Sequence, residues 1–106
     1  MSTIIDFAKI GGPVFVGREN GKEARRKFSV DKADSSGEPV ILRIPEETYS
    51  VNSSFFLGMF SESIRKFGSS DQFFAHYPLQ APEAIRNAIV SIVDRALNER
   101  GVLSLG

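Results

Sequence analysis

The stretch from residue 51 to residue 68 constrains the fold more than any other part of this sequence. Its apolar residues recur at helical spacing and share one face, with Leu57 at the margin: Phe56, Met59, Phe60, Ile64 and Phe67. The polar residues before this stripe can accept hydrogen bonds from the free N–H groups of a first turn: Asn52, Ser53 and Ser54. Gly68 then follows the last turn, as is typical of a left-handed C-cap. The sequence therefore predicts an amphipathic central helix that anchors a small core.

Phe55 lies outside this apolar stripe. We expect its side chain to project towards Glu62 and Lys66, on the side that a helix packed on a sheet turns to water. Single exposed aromatic residues are common on protein surfaces. Phe55 also neighbours the serines at the positive end of the helix dipole, so it is a candidate contact residue.

Length and composition indicate one globular domain over residues 1–106, with 42% hydrophobic and 25% charged residues. Thirteen basic and thirteen acidic side chains balance, which favours neither nucleic acid nor an anionic membrane as a partner. The lack of cysteine excludes disulfides, thiolate metal sites and cysteine nucleophiles. No apolar run is long enough for a membrane span and the first residues do not resemble a signal peptide, so we expect a cytoplasmic protein without membrane contact.

The first third of the sequence predicts two strands and a helix. Residues 3–10 and 13–17 are rich in β-branched and aromatic residues, and Gly11-Gly12 between them predicts a hairpin. Asn20 and Glu23 resemble a capping box, which predicts a helix that runs to about Ala33.

The remaining segments complete an α/β pattern. Residues 40–44 predict a strand in the middle of the sheet, and residues 72–77 predict a further strand that ends at Pro78. The final helix begins after Pro82, stops at Gly101 and carries this apolar stripe: Ile85, Ala88, Ile89, Ile92, Val93, Ala96 and Leu97. The order β-β-α-β-α-β-α predicts a four-stranded, mostly parallel (mixed) sheet covered by helices.

Residues that could carry catalysis are few. His76 is the single histidine and lies between aromatic residues in a predicted strand, where packing explains it better than chemistry. Glu46 and Glu47 are adjacent in an acidic turn, as solvated carboxylates often are. No metal-ligand spacing, cofactor-binding glycine loop or serine–histidine arrangement is visible. We therefore expect a protein that is not an enzyme and that holds no cofactor or metal.

A basic cluster precedes the acidic turn and has two interpretations. Its residues are Arg18, Lys22, Arg25, Arg26 and Lys27. They form either the solvated face of a short helix or a patch for phosphate or an acidic partner. Aromatic residues are not interleaved with them, so nucleic-acid binding is the minor hypothesis.

The serines at the start of the central helix are the best candidate site. A helix N-terminus presents free N–H groups and about half a positive charge, which suits a phosphate. Phosphorylation of Ser53 or Ser54 would add roughly −1.5 to −2 charge there and could switch a partner surface. Plain N-capping is the alternative explanation.

Residues 51–60, preceded by the strand at 40–44, resemble the core of the STAS-like domains. The resemblance is closest to the bacterial DUF4325 family, which has a similar Ser-Ser-Phe helix start. Gly17-Arg18, the helix with Arg25 and Arg26, and the last helix after Pro82 also correspond to that family. The resemblance implies a regulatory binding module.

STAS domains of anti-sigma factor antagonists are phosphorylated by a histidine-kinase-like ATPase at a serine in an Asp-Ser-[Ser/Thr]-Gly motif. The matching positions here are Asn52, Ser53, Ser54 and Phe55. Asn52 lacks the charge of the aspartate, and Phe55 adds bulk where the family has glycine. Both departures weigh against phosphorylation and leave partner binding at this helix end in place.

These observations together predict a single STAS-like domain that acts as a non-catalytic regulatory or adaptor protein. Its expected partner is a protein, with a histidine-kinase-like ATPase as the class that the resemblance implies. The predicted contact residues are Asn52, Phe55 and Met59, with Ser53 and Ser54 as phosphoacceptor candidates. One alternative is a phosphate- or nucleic-acid-binding module that uses Arg18, Lys22, Arg25 and Arg26. Another is a structural subunit that self-associates, for example as a homodimer.

Overall fold

The computed structural model describes residues 3–10 and 14–105, and within them two small parallel sheets pack with five helices. The strands are β1 (Thr3–Asp6), β2 (Val14–Phe15), β3 (Val40–Arg43), β4 (Ser50–Val51) and β5 (Leu79–Gln80). The helices are α1 (Arg18–Lys27), α2 (Val30–Asp34), α3 (Ser53–Phe67), α4 (Ser70–His76) and α5 (Glu83–Leu105), with a 3-10 turn at Phe7–Lys9. In the part of the chain described, none of the helices has the length and apolar character needed to span a membrane.

The strands form two sheets where the sequence predicted one. The order of the larger sheet is β1-β3-β5, and β2 pairs with β4 alone. The predicted α/β class and the central place of β3 are confirmed, whereas the described residues do not form a four-stranded mixed sheet. Ile5 faces Leu42 in this register, and both side chains are buried.

The predicted N-terminal hairpin is wrong. β1 pairs in parallel with β3, and β2 pairs in parallel with β4, while Gly11 and Gly12 lie outside the described residues. Asp6 ends β1 because its carboxylate accepts a hydrogen bond from Ala8 N at 2.9 Å, which starts the 3-10 turn. That turn buries Phe7 completely. An isolated two-stranded ribbon would bury far less apolar surface, so parallel pairing on β3 is favoured.

The predicted strand at residues 72–77 is a helix instead. Ser69 caps α4 by accepting a hydrogen bond from Gln72 N at 3.2 Å. Phe73 and Tyr77 are four residues apart and are both fully buried, so the aromatic run follows a helical period. The strand that completes the sheet, β5, begins only after Pro78.

The helix predicted from Asn20 to Ala33 is divided into α1 and α2. Asn20 does not cap it, because α1 begins one turn earlier after Gly17 (φ 92°), and Asn20 Nδ2 donates to Val16 O at 3.0 Å. The division falls at Ser29, whose φ of 53° lies in the left-handed region. This reversal of the backbone turns Val30 and Asp34 into the interior.

The central helix α3 is confirmed from cap to cap. Asn52 Oδ1 accepts from Ser54 N at 2.8 Å, and Gly68 closes the helix with a φ of 83°. The predicted apolar face lies in the core, fully buried at Phe56, Met59, Phe60 and Ile64 and partly buried at Leu57 and Phe67.

Helix α5 begins after Pro82 as predicted, and Ile85, Ile89, Ile92 and Val93 are buried. Ala88, which was assigned to the same stripe, is exposed. The helix also continues past Gly101, so the predicted stop there is wrong. One glycine costs a helix only about 1 kcal/mol relative to alanine, which does not suffice to end it.

Candidate functional site

Helices α1 and α3 cross in backbone contact at two glycines. A Cβ atom at Gly21 would lie 2.1 Å from the Phe55 carbonyl oxygen. A Cβ atom at Gly58 would lie 2.3 Å from the Arg18 carbonyl oxygen. Any side chain at either position would therefore push the helices apart. The two glycines hold the basic helix α1 against the first turns of α3.

Arg25 fastens α1 to its neighbours and is only partly exposed. Its side chain is 11% exposed, and Nη1 donates to Met59 O at 2.7 Å and to Ser63 Oγ at 3.0 Å. Nη2 donates to Asp34 at 3.0 Å and also to Asp31, and Nε lies 3.4 Å from Glu62. Arg25 belongs to the alternative phosphate- or nucleic-acid-binding site, and in the structure its side-chain donors bond to the protein itself.

Asp34 continues this network into the core. It is 7% exposed, and its Oδ1 accepts hydrogen bonds from Ser63 Oγ at 2.7 Å and from the Tyr77 hydroxyl. Burial raises the pKa of Tyr77 well above its ordinary value of 10.0, and the hydrogen bond to Asp34 raises it further. Burial lowers the pKa of Arg25, but the hydrogen bonds to Asp31 and Asp34 outweigh this and raise it overall. The network is thus a charged arginine, its carboxylates and a neutral tyrosine.

The start of α3 is open to solvent. Asn52, Ser53 and Ser54 are all exposed, as predicted. Asn52 is fixed twice, since its side chain caps the helix and its N–H donates to Phe15 O at 2.8 Å. Helix geometry leaves the N–H groups of the first turn without carbonyl partners in the same helix. The tip of α3 therefore combines two hydroxyls with a partial positive charge.

The prediction that Phe55 faces water is wrong. Phe55 is 1% exposed, and its ring centroid lies 5.5 Å from that of Phe15 and 6.4 Å from that of Phe7. Met59, predicted at the margin of the contact surface, is fully buried. The reason is that α1 covers this side of α3. The buried residues of α1 are Gly21 and Ala24, which carry too little apolar surface to reveal the packing in the sequence.

Val16 is an exposed apolar neighbour of the α3 tip that the sequence did not indicate. It is 49% exposed and follows β2, while Asn52 follows β4. Phe15 pairs with Val51 in parallel, so the two following residues lie side by side at one end of the small sheet. The sequence does not indicate that Val16 neighbours Asn52, because their proximity depends on the pairing of β2 with β4, which are far apart in the sequence.

A groove of about 660 Å³ runs between α1 and α3 on the side away from Val16. Its charged lining is mainly basic: Arg18, Lys22, Arg25, Arg26, Lys32 and Arg65. Two carboxylates, Asp31 and Glu62, also line it. Lys32 and Arg65 were not predicted to belong to this site, because only the folded chain brings them beside the residues of α1. We refer to this feature as the basic groove.

Ser54 shares a helix face with the basic groove, whereas Ser53 does not. At 100° per residue, Ser54 lies on the same side of α3 as Gly58 and Arg65, both of which line the groove. Ser53 is turned about 100° away from that side. The two phosphoacceptor candidates therefore differ in what surrounds them.

The residues weighed for catalysis are structural or solvated. His76 is half-buried, its ring stacks on Phe67 at 4.9 Å, and Nε2 lies 2.6 Å from Ala33 O. Glu46 and Glu47 lie in an exposed turn. Within residues 3–10 and 14–105, no group of three or more histidines, cysteines or carboxylates is arranged to hold a metal ion.

No family model matches this sequence, and neither a curated protein nor a solved structure matches it. The structure defines a mixed α/β domain with a small parallel sheet. The resemblance to the STAS-like domains stays a prediction from the sequence.

Proposed function

We propose that this domain is a non-catalytic regulatory or adaptor module that binds a protein partner through the start of α3. The observation that carries the proposal is the exposure of Asn52, Ser53 and Ser54 at the tip of a helix whose following turns are largely buried. A partner can reach this tip without any rearrangement of the core. The proposal includes the cytoplasmic location expected from the sequence.

The chemistry of the tip favours an acceptor-rich partner group beside an apolar one. The N–H groups of the first turn that Asn52 does not cap, together with the helix dipole, attract carboxylate or carbonyl oxygens, and the hydroxyls of Ser53 and Ser54 add further donors. Val16, next to Asn52, offers exposed apolar surface that a partner can bury. The STAS-like resemblance names a histidine-kinase-like ATPase as the partner class. Phosphorylation of Ser53 or Ser54 would then act as the switch.

Affinity capture with variants of the tip tests this function. The immobilised domain is exposed to a lysate of its source organism, and recovered proteins are quantified by mass spectrometry for wild type and for a Ser53→Glu/Ser54→Glu variant. Two carboxylates suit the start of a helix, so the fold is preserved while the charge of the surface changes. We expect recovery of the partner to change about tenfold or more, which corresponds to about 1.4 kcal/mol.

Ser91→Glu is the matched control, because Ser91 is exposed on α5 and outside the tip. A partner recovered equally by wild type, the tip variant and the control would exclude the tip as the binding surface. Light scattering on the purified domain tests the self-association alternative. A dimer that persists in the tip variant would favour a structural subunit over a regulatory module.

A further inference from the structure

We infer that the basic groove binds a short acidic segment of a protein partner. The inference rests on the proposed function, because the segment belongs to the partner that binds the tip of α3. It adds the chemistry of that partner and a means by which Ser54 could control it.

The first argument is uncompensated charge. Arg18, Lys32 and Arg65 line the groove, and in the described part of the chain their side chains make no hydrogen bond or ion pair. Lys22 lies 3.5 Å from Glu19 in an exposed pair, which binds weakly enough to exchange for another carboxylate.

The carboxylates of the groove are held by the one arginine beneath them. Asp31 and Glu62 both contact Arg25, which also holds the buried Asp34. One guanidinium therefore contacts three carboxylates, and the side chains of Asp31 and Glu62 are 83% and 64% exposed. Among the described residues the groove is lined by six basic side chains and these two acidic ones, so an incoming carboxylate meets an excess of positive charge.

The size and lining of the groove favour an acidic peptide over nucleic acid. From Gly58 to Arg65 the α3 wall is about 10 Å long, which is the length of about three residues of extended chain. Among the described residues, no aromatic side chain lines the groove to stack on a base.

The walls of the groove are held together by contacts within the protein, without any ligand. Gly21 and Gly58 fix the contact between α1 and α3, and Arg25 joins both helices to α2. A preformed site loses little conformational entropy on binding. Ser54 lies one turn before Gly58 on the groove side, and the Arg18 carbonyl contacts Gly58. A phosphate on Ser54 would therefore compete with the acidic segment for the cations at this end of the groove.

Fluorescence anisotropy with defined probes tests the inference on the purified domain. The probes are fluorescein-labelled decaglutamate and a fluorescein-labelled oligothymidylate of about the same charge. We expect decaglutamate to bind more tightly and to lose affinity as salt is added. Arg18→Glu and Arg65→Glu should each weaken it about tenfold or more, and Ser54→Glu should weaken it in the same direction.

Arg43→Glu is the matched control. Arg43 is exposed at the end of β3 and lies outside the groove, and its side chain makes no hydrogen bond or ion pair in the described part of the chain. Its reversal changes the net charge equally. It should change the affinity less than about twofold. Circular dichroism confirms that each variant is folded.

Three results would overturn the inference. Tighter binding of oligothymidylate would assign the groove to nucleic acid, equal losses in Arg43→Glu and Arg65→Glu would show attraction without a site, and no decaglutamate binding would remove the acidic segment. Each can occur while the tip variants still alter partner capture, so this inference and the proposed function fail separately.

Discussion

Arg25 and Asp34 form an ion pair with little solvent exposure, and each charge is compensated by the other. A buried charge that loses its partner costs about 3–5 kcal/mol, because it is no longer hydrated and no longer compensated. Asp34 is also the acceptor for Ser63 and Tyr77, so its removal leaves three donors without their carboxylate.

We therefore expect Asp34→Ala to lower the free energy of unfolding by about 3 kcal/mol or more. Asp31→Ala is the control, since it removes a carboxylate from the same arginine at a side chain that is 83% exposed. It should cost less than about 1 kcal/mol. Urea unfolding measures both, and similar losses would mean that the burial of Asp34 is irrelevant to its role.

Phe55 and Arg25 show what a sequence can and cannot reveal about single residues. Ser53 and Ser54 were correctly predicted to be exposed, because N-cap residues depend on the local chain. The sequence predicts that Phe55 faces water and that Arg25 lies on the surface. Phe55 is instead buried and Arg25 is bonded to α3, and in both cases the contacts come from segments that are distant in sequence. Their environment depends on the contact between α1 and α3, for which the sequence contains only two glycines as a signal.

The same contact determines how two whole helices pack, because the backbones of α1 and α3 can touch only at glycines. We expect Gly21→Ala and Gly58→Ala each to lower the free energy of unfolding by about 1–3 kcal/mol, because the new methyl group meets backbone atoms that cannot rotate away. Gly37→Ala is the control, since no atom lies within 4 Å of the added Cβ. Chemical denaturation compares the three, and an unchanged midpoint in Gly21→Ala would contradict the close crossing.

Elements were predictable where their signals are local. Helix α3 has its cap, stripe and stop within residues 51–68, and it was predicted from end to end. The partners of β1 and β2 were not, because each pairs in parallel with a strand more than thirty residues away. In α4 the aromatic run 73–77 fits both a strand and a helix, and the cap at Ser69 decides between them.

For the molecule as a whole, the ionisation of Tyr77 makes the free energy of unfolding depend on pH in the alkaline range. Burial raises its pKa above 10.0 in the folded state, so below pH 10.0 both states are protonated and the stabilisation is complete. Above that pH the unfolded tyrosine ionises first, so stability falls by up to about 1.4 kcal/mol per pH unit. In Tyr49→Phe, where Tyr77 is the single remaining tyrosine, tyrosinate absorbance should appear only as far-UV circular dichroism is lost. Ionisation of a still folded protein would contradict this.

The two glycines at the crossing and Arg25 below it have a consequence for how such a domain can diversify. The residues that shape the groove are interior and intolerant of change, whereas the basic residues at its rim are exposed and make few internal contacts. Under the proposal that the groove binds an acidic segment, exchange of rim side chains would change the ligand at little cost to the architecture. Specificity and stability would then reside at separate positions, and natural selection could act on one while the other stays constant.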